Sequence, residues 1–502
     1  MTPPLEKGGL GGFSSFAGAR PATGVQYKGT HSAISLRLIW RLMYSKVLFG
    51  GGFAAMMKSL LSQTDQILKN AIAAVVPHHF FPKQILLRRH TLSIQDDSGR
   101  FQHYDLRAFR RIVVLGAGKA SARMAEACEG ILGTRIDSGL VITKYGHARS
   151  LSRVQVLEAG HPLPDAAGLR GARTMITRLE QSRPEDLILF LTSGGCSALL
   201  PAPTPPITLK EKQRLTTLLL RSGAPIQEIN TVRKHISQTK GGQLAKLAYP
   251  ATVINLIISD VVGDPLDSIG SGPFVPDPST FQEAWGVLDK YRLLKTAPQA
   301  IVNHLKAGIH RQAGETPKPG DPCFRKARNF ILARNRSALT AAAAQARAFG
   351  FNPLVLTSQV QGEARELAKF YGALVKEIHF SGHPVKPPAC LIAGGEPTVT
   401  VRGKGLGGRN MELALAVALE IKGLPKTVFL SAGTDGTDGP TEAAGAIVDG
   451  RTWDQARKKG IPLEKKLENN DSYHFFQEAG GLVITGPTGT NVMDVHILLI
   501  GK

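Results

Sequence analysis

The chain has 502 residues, of which 42% are hydrophobic and 20% charged, and it carries a formal net charge of +22. That length and apolar content supply more than one core and exclude a disordered or fibrous chain. The basic residues are scattered and aromatics make up only 6%, so a nucleic-acid binder lacks its stacking platforms and basic tracts, and an enzyme with anionic substrates is the better reading.

Residues 1–56 hold six Lys or Arg against one acid, Glu6, and are rich in Gly and Ser. The run "LIWRLMYSKVLFGGGFAA" loosely imitates a signal peptide, but Gly50, Gly51 and Gly52 interrupt its apolar part and no small-x-small cleavage site follows. The stretch is expected to be a disordered extension or an over-called start, with Met43, Met56 and Met57 as alternative first residues. A regular pattern begins at Met57, where Leu60, Leu61, Ile67, Leu68 and Ile72 recur near a helical period. Strand–turn–helix units follow, in "RIVVLGAGKASARMAEACEGIL", "SGLVITKYG", "DLILFLTSGGCSALL" and "ATVINLIISDVVG". Such alternation predicts an α/β fold, with a doubly wound parallel sheet covered by helices on both faces. A polar, proline-bearing stretch at 310–330 predicts a domain junction. Beyond it a second α/β segment is expected, with "PACLIAGGEPTVTV" as strand, turn and hairpin partner, "NMELALAVALEIKG" as a helix, and "TVFLSAG" and "VHILLIGK" as strands. Cys128, Cys196, Cys323 and Cys390 form no CxxC pair, and no run of the roughly 18 apolar residues needed to span a bilayer occurs. Zinc sites, redox motifs and a membrane span are therefore not expected, and the sparse thiols suit a reducing cytoplasm.

Several loops after apolar strands carry the chemistry. Gly116 and Gly118 sit at a strand-to-helix turn with Lys119 just inside it, a place suited to phosphate. A dinucleotide fingerprint is disfavoured there. Its third glycine is replaced by Ser121, and the next strand ends in Lys144 and Tyr145 instead of a ribose-binding acid. Ser193, Gly194, Gly195 and Ser197 read as an anion nest or, less well, as a nucleophile elbow. Arg233, Lys234, His235 and Lys240 form a basic run, either a carboxylate or phosphate clamp or a solvated face. In "IISDVVGDPLDSIGSGP", Asp260 and Asp264 suit a divalent cation and Ser268, Gly270, Ser271 and Gly272 suit phosphate oxygens, the other reading being a polar loop with two solvated Asp. Glu396, Arg402, Lys404, Arg409 and Glu412 share a glycine-rich segment that reads as a loop closing on an anion or as a flexible hairpin tip. Asp435 and Asp438 stand at a strand end, to hold a cation, orient a hydroxyl or simply turn the chain. "GPTGTNVMD" adds Thr488, Thr490, Asn491 and Asp494. No P-loop motif and no protein-kinase motif set occurs.

Taken together and in order, "GAGKAS", "EAGHPLPD", "SGGCSALL", "NTVRKHIS", "ISDVVGDPLDSIGSGP", "GGEPTVTV", "GGRNMELAL", "SAGTDGTDGPT", "NDSYHFF" and "GPTGTNVMD" resemble the glycerate 2-kinases of the MOFRL type. The resemblance runs from about residue 60 to 502 and leaves residues 1–56 outside. It implies ATP-dependent phosphorylation of D-glycerate at its 2-hydroxyl, giving 2-phosphoglycerate, with a divalent cation, usually Mg²⁺. It implies a larger Rossmann-like domain, 57–325, a smaller C-terminal MOFRL-type domain, 326–502, and a cleft between them. It makes Lys119 and Arg409 the expected catalytic residues. Cys196 stands where relatives commonly have a small residue. The expected roles are then a cation at Asp260 or Asp264, the glycerate hydroxyl at Asp435 or Asp438, and phosphate or carboxylate at the Ser193–Ser197 nest. Arg233 would clamp a carboxylate, Ser268 and Ser271 would bind phosphate oxygens, and Gly116, Gly118 and Glu396 would line the same cleft. A cytoplasmic monomer or homodimer with small-molecule partners is expected, with no nucleic acid and no membrane. Two other readings stay open, a hydroxypyruvate reductase using NAD(P)H and a non-catalytic sugar-phosphate-binding protein.

Overall fold

The computed structural model describes residues 51–502, and the expectations for residues 1–50 lie outside the described residues. The helix Gly51–Ala73 starts inside the stretch expected to be a disordered extension or an over-called start. The apolar pattern that begins at Met57, which is 1% exposed, is carried by this helix.

Strands β1 (Ile85–Arg88), β2 (Thr91–Gln95) and β3 (Phe101–Asp105) form a small antiparallel meander. The first large sheet is built from β4 (Arg111–Ala117), β5 (Ser138–Lys144), β6 (Val154–Ala159), β7 (Asp186–Thr192), β8 (Thr252–Ile258) and β9 (Ala327–Ala333). Its order is β6-β5-β4-β7-β8-β9 and every pairing is parallel. Every residue of β7 is buried, as a central strand covered on both faces requires. The strand order reverses direction between β4 and β7, so the turns after β4, β7 and β8 open beside one another, where open parallel sheets bind ligands. The last strand of this sheet, β9, follows the polar stretch at 310–330, so the sheet runs past residue 325 to Ala333.

The second sheet comprises β10 (Asn352–Val360), β11 (Ala389–Gly395), β12 (Thr427–Gly433), β13 (Gly445–Asp449), β14 (Leu482–Val483) and β15 (Asp494–Ile500). Its order is β10-β11-β15-β12-β13-β14. Only β10 and β11 pair in parallel; β15 inserts antiparallel between β11 and β12. The segment "PTVTV" after β11 forms no hairpin partner and contributes only a bridge, Glu363 to Thr398. Its backbone is instead followed by the glycine-rich stretch that leads to helix Arg409–Glu420. Each large sheet has its own apolar core. A third core joins four helices, Leu209–Arg221, Ile226–His235, Phe281–Lys290 and Gln299–Ile309. Among the described residues no helix is long and apolar enough to cross a membrane.

Candidate active site

The turns after β4 and β7 are locked onto each other. Gly116 lies inside β4, where a Cβ would stand 2.6 Å from the Leu191 carbonyl oxygen. Gly118 has φ of +143°, and a Cβ there would come 2.1 Å from Ser193 Oγ. The Lys119 amide donates to Gly194 O at 2.8 Å, and the Ala120 amide donates to Ser193 Oγ at 3.0 Å. Ser193 therefore gives its hydroxyl oxygen to the turn itself. Ser121, where a third glycine was sought, donates to Gly118 O and Ile142 O. Gly194 touches the next turn, with a Cβ position 2.0 Å from Asp260 Oδ2. These contacts bring Lys119, the Ser193–Gly195 turn and Asp260 together.

The second sheet supplies the other wall. In the register of β15, Asp494 lies opposite Gly395 of β11 and Gly433 of β12. The antiparallel insertion thus puts an acid at the edge where β11 and β12 end. Arg409, the first residue of its helix, donates from Nε and Nη2 to Asp494 Oδ2 and Oδ1 at 2.5 and 2.9 Å. Its Nη1 lies 2.9 Å from Glu396 Oε1. Asp494 is fully buried while Arg409 is one-third exposed, so one edge of the guanidinium is fixed on Asp494 and its Nη1 reaches Glu396. Lys119 Nζ lies 3.3 Å from Asp435 Oδ2, which joins the two walls. The Asn491 side-chain amide donates to Asp260 Oδ2 at 3.1 Å, a second link.

Four acids, Asp260, Glu396, Asp435 and Asp494, thus gather around two cations, Lys119 and Arg409. Burial pushes the Asp260 carboxyl up to about 6; Lys119 counters that shift, and Glu396 and Asp435 add to it. Burial also raises Glu396, with Arg409 opposing and Asp494 adding. His161, from "EAGHPLPD", was not singled out in the sequence. It stands 2.8 Å from the Cβ position of Gly195, and burial with Lys119 and Lys144 nearby lowers it to about 4, so the ring is neutral near neutral pH.

Three expected residues are engaged elsewhere. Asp438 accepts from the Asn410 and Met411 amides at 3.1 and 2.8 Å and so caps helix Arg409–Glu420. Asp264, at φ of +56°, faces Arg334 Nη1 at 3.8 Å and lines a separate cavity of about 710 Å³ with Asp97, Asn335 and Gln359. Ser268 Oγ contacts Asp267 at 3.5 Å. Among the described residues no three Asp, Glu, His or Cys side chains converge as a ready metal cage.

The remaining expected residues form a group of their own. Ser197 Oγ accepts from Arg233 Nη2 at 2.5 Å and lies 3.1 Å from Ser271 Oγ. Lys240 Nζ donates to the same hydroxyl at 2.7 Å. Lys234 and His235, from the same basic run, pair instead with Asp277 and Glu315.

Known proteins resemble this chain along most of its length. The MOFRL family matches residues 389–494, and a domain of unknown function, DUF4147, matches residues 63–306. A glycerate 2-kinase of Pyrococcus horikoshii is 43% identical over 410 residues, covering 82% of this chain and 92% of its own. A putative hydroxypyruvate reductase of Agrobacterium vitis is 41% identical over 394 residues, covering 78% and 87%. The crystal structure of a glycerate kinase from Thermotoga maritima superposes with a TM-score of 0.78 at 40% identity, covering 88% of this chain and 100% of that one. With relatives this similar over nearly their whole length, the chain belongs to the glycerate kinase family, with a MOFRL C-terminal region.

Proposed function

We propose that this protein transfers a phosphoryl group from ATP to the 2-hydroxyl of D-glycerate, giving 2-phosphoglycerate, with a divalent cation in the cytoplasm. The observation that carries this reading is the meeting of Lys119 and Asp435, 3.3 Å apart, from the strand ends of two sheets. Phosphoryl transfer needs positioning and charge neutralisation more than covalent chemistry. Lys119 Nζ and the partly exposed Arg409 guanidinium offer N–H donors to phosphate oxygens as charge develops. Asp435 Oδ2 then accepts the proton of the attacking hydroxyl, a role for which Asp438 has no free oxygen because both are engaged at the helix N-terminus. The turns that hold these groups keep them together at strand ends, partly exposed to an arriving substrate.

The acid-rich centre suits a Mg²⁺ ion. Two cations face four acids there, and Asp260 keeps a buried carboxyl that accepts from Asn491 alone among the described side chains. Mg²⁺ takes one or two carboxylates, substrate phosphates and waters instead of a full protein cage. Asp260, with Asp435 or Glu396, would hold it, and when bound it would neutralise charge on the phosphate oxygens. Asp264, turned to Arg334, is the poorer candidate.

The test is to incubate the protein with D-glycerate, ATP and Mg²⁺ and follow ADP and the phosphoglycerate isomer. Stoichiometric ADP and 2-phosphoglycerate are expected. No ADP, with NADH oxidised on hydroxypyruvate, would overturn the reading.

A further inference from the structure

We propose that Lys240 and Lys212 complete, with Arg233 and Ser197, a site for the carboxylate of the acceptor substrate; the identity of that substrate rests on the kinase reading above. Lys240 is 1% exposed and Lys212 3%. Arg233 and Ser197 are only half-buried. Lys240 Nζ donates to Ser197 O at 2.8 Å and to Ser197 Oγ at 2.7 Å. Lys212 Nζ donates to Pro201 O at 3.1 Å. Arg233 Nη2 and Nη1 donate to Ser197 Oγ and Asn230 Oδ1 at 2.5 and 3.3 Å, while its Nε is buried with no acceptor.

The group holds more donors than acceptors. An ammonium has three N–H bonds and a guanidinium five. Here they meet only hydroxyls, an amide and main-chain carbonyls. None of the three cations is ion-paired with a carboxylate among the described residues, although buried charges are normally paired. Ser197 Oγ already accepts from two cationic donors, so its proton must be given away. Ser271 Oγ takes it at 3.1 Å and in turn reaches Asn230 Oδ1 at 3.4 Å. An acceptor-rich anion arriving at Ser197 would supply acceptors to the unused N–H donors of Arg233 and Lys240 together. Burial and the neighbouring cations, chiefly Arg233, push Lys240 well below the usual lysine range and Lys212 to about 7. An anion reverses that imbalance.

Carboxylate fits better than the phosphates of a nucleotide. Nucleotide phosphates travel with a divalent cation, which needs carboxylate oxygens, and among the described residues no carboxylate pairs with Arg233, Lys240 or Lys212. The acids stand instead around Lys119 and Arg409. The helical turn Cys196–Leu199, which carries Ser197, follows Gly195, whose Cβ position is 3.5 Å from Lys119 Cγ. A small 2-hydroxy acid anchored at Ser197 therefore lies beside the Lys119 wall.

The experiment compares wild type with Lys240→Gln, and with Ser197→Ala as a variant that adds no bulk. Binding of D-glycerate is measured by calorimetry without ATP, and KM is measured for both substrates. A charged hydrogen bond lost should weaken D-glycerate about tenfold or more in Kd and KM for Lys240→Gln, and severalfold for Ser197→Ala. KM for ATP should stay within about twofold. A rise in KM for ATP with D-glycerate unchanged would overturn the carboxylate assignment in favour of a nucleotide phosphate. No change in either would overturn the site. Calorimetry on the wild type keeps the two readings distinct, because D-glycerate can bind there even if no ADP is formed. If Lys240→Gln fails to fold, Ser197→Ala carries the same three outcomes.

Discussion

Lys119 Nζ and Asp435 Oδ2 lie 3.3 Å apart although 316 positions separate them in the chain. One stands past the end of β4 and the other past the end of β12, so the contact exists only when the two sheets face each other. Lys119→Ala and Arg409→Ala should each lower kcat by about 10² or more, the usual cost of one lost electrostatic contact to a developing charge. Steady-state kinetics check this, and turnover within about tenfold of wild type would remove both from the chemistry.

Asp494 acts through Arg409. It is fully buried and fixes the guanidinium by two hydrogen bonds. Asp494→Asn keeps the shape but loses the charge and one acceptor. It should lower kcat with little change in KM for D-glycerate, and lower stability by about 3 kcal/mol or more by leaving Arg409 poorly paired. Urea unfolding and the split between kcat and KM measure the two effects separately.

Asp438 is expected to behave as a helix cap. Asp438→Ala should cost about 1 kcal/mol through loss of the bonds to the Asn410 and Met411 amides. Asp438→Asn, which still offers one acceptor, should cost less. A thermal melt series ranks them, and equal destabilisation would count against the capping role.

Lys212 gives a pH dependence of defined sign. Burial holds its ammonium at about 7 against a usual 10.5. Between those values the unfolded chain binds a proton that the folded protein does not, so this group makes stability rise with pH across the window. Lys212→Met removes the contribution. Without substrate it should be more stable than wild type at pH 7, by about 1 kcal/mol or more, with the advantage shrinking toward pH 10. Denaturant midpoints at several pH values decide it, and a constant difference would sink the argument.

Gly194 tests the packing of the turns. A Cβ there would stand 2.0 Å from Asp260 Oδ2 and 3.1 Å from Asn491 Nδ2. Gly194→Ala should displace Asp260, break its bond to Asn491, and lower kcat while costing about 1–3 kcal/mol of stability. Gly130→Ala, where nothing lies within 4 Å of the Cβ position, should stabilise or leave stability unchanged.

Much of the architecture was legible in the chain because it follows local rules. The apolar run of β7, the glycine turns at Gly118 and Gly195, and the polar strand ends announce a parallel sheet with polar turns at its strand ends. Lys119 and Arg409 were visible because each stands at a helix start after glycines. Not legible was which polar residues serve the chemistry and which serve the fold. Asp438 and Asp435 sit three positions apart in one loop, yet one caps a helix and the other meets Lys119. Asp260 and Asp264 look like a pair, but the left-handed backbone at Asp264 turns its carboxylate to Arg334.

By itself, then, the sequence determined the parallel α/β class, the position of each glycine turn at a strand end and the family resemblance, because these depend on residue periodicity and on backbone freedom within a few positions. Only the tertiary structure decided that β15 enters antiparallel and carries Asp494 to Arg409. Only it seated Lys240 on Ser197 and buried Lys212 near Arg233, neither ion-paired with a carboxylate among the described residues. Both are long-range pairings, set by which strands and helices share a core, and no local pattern along the chain encodes them.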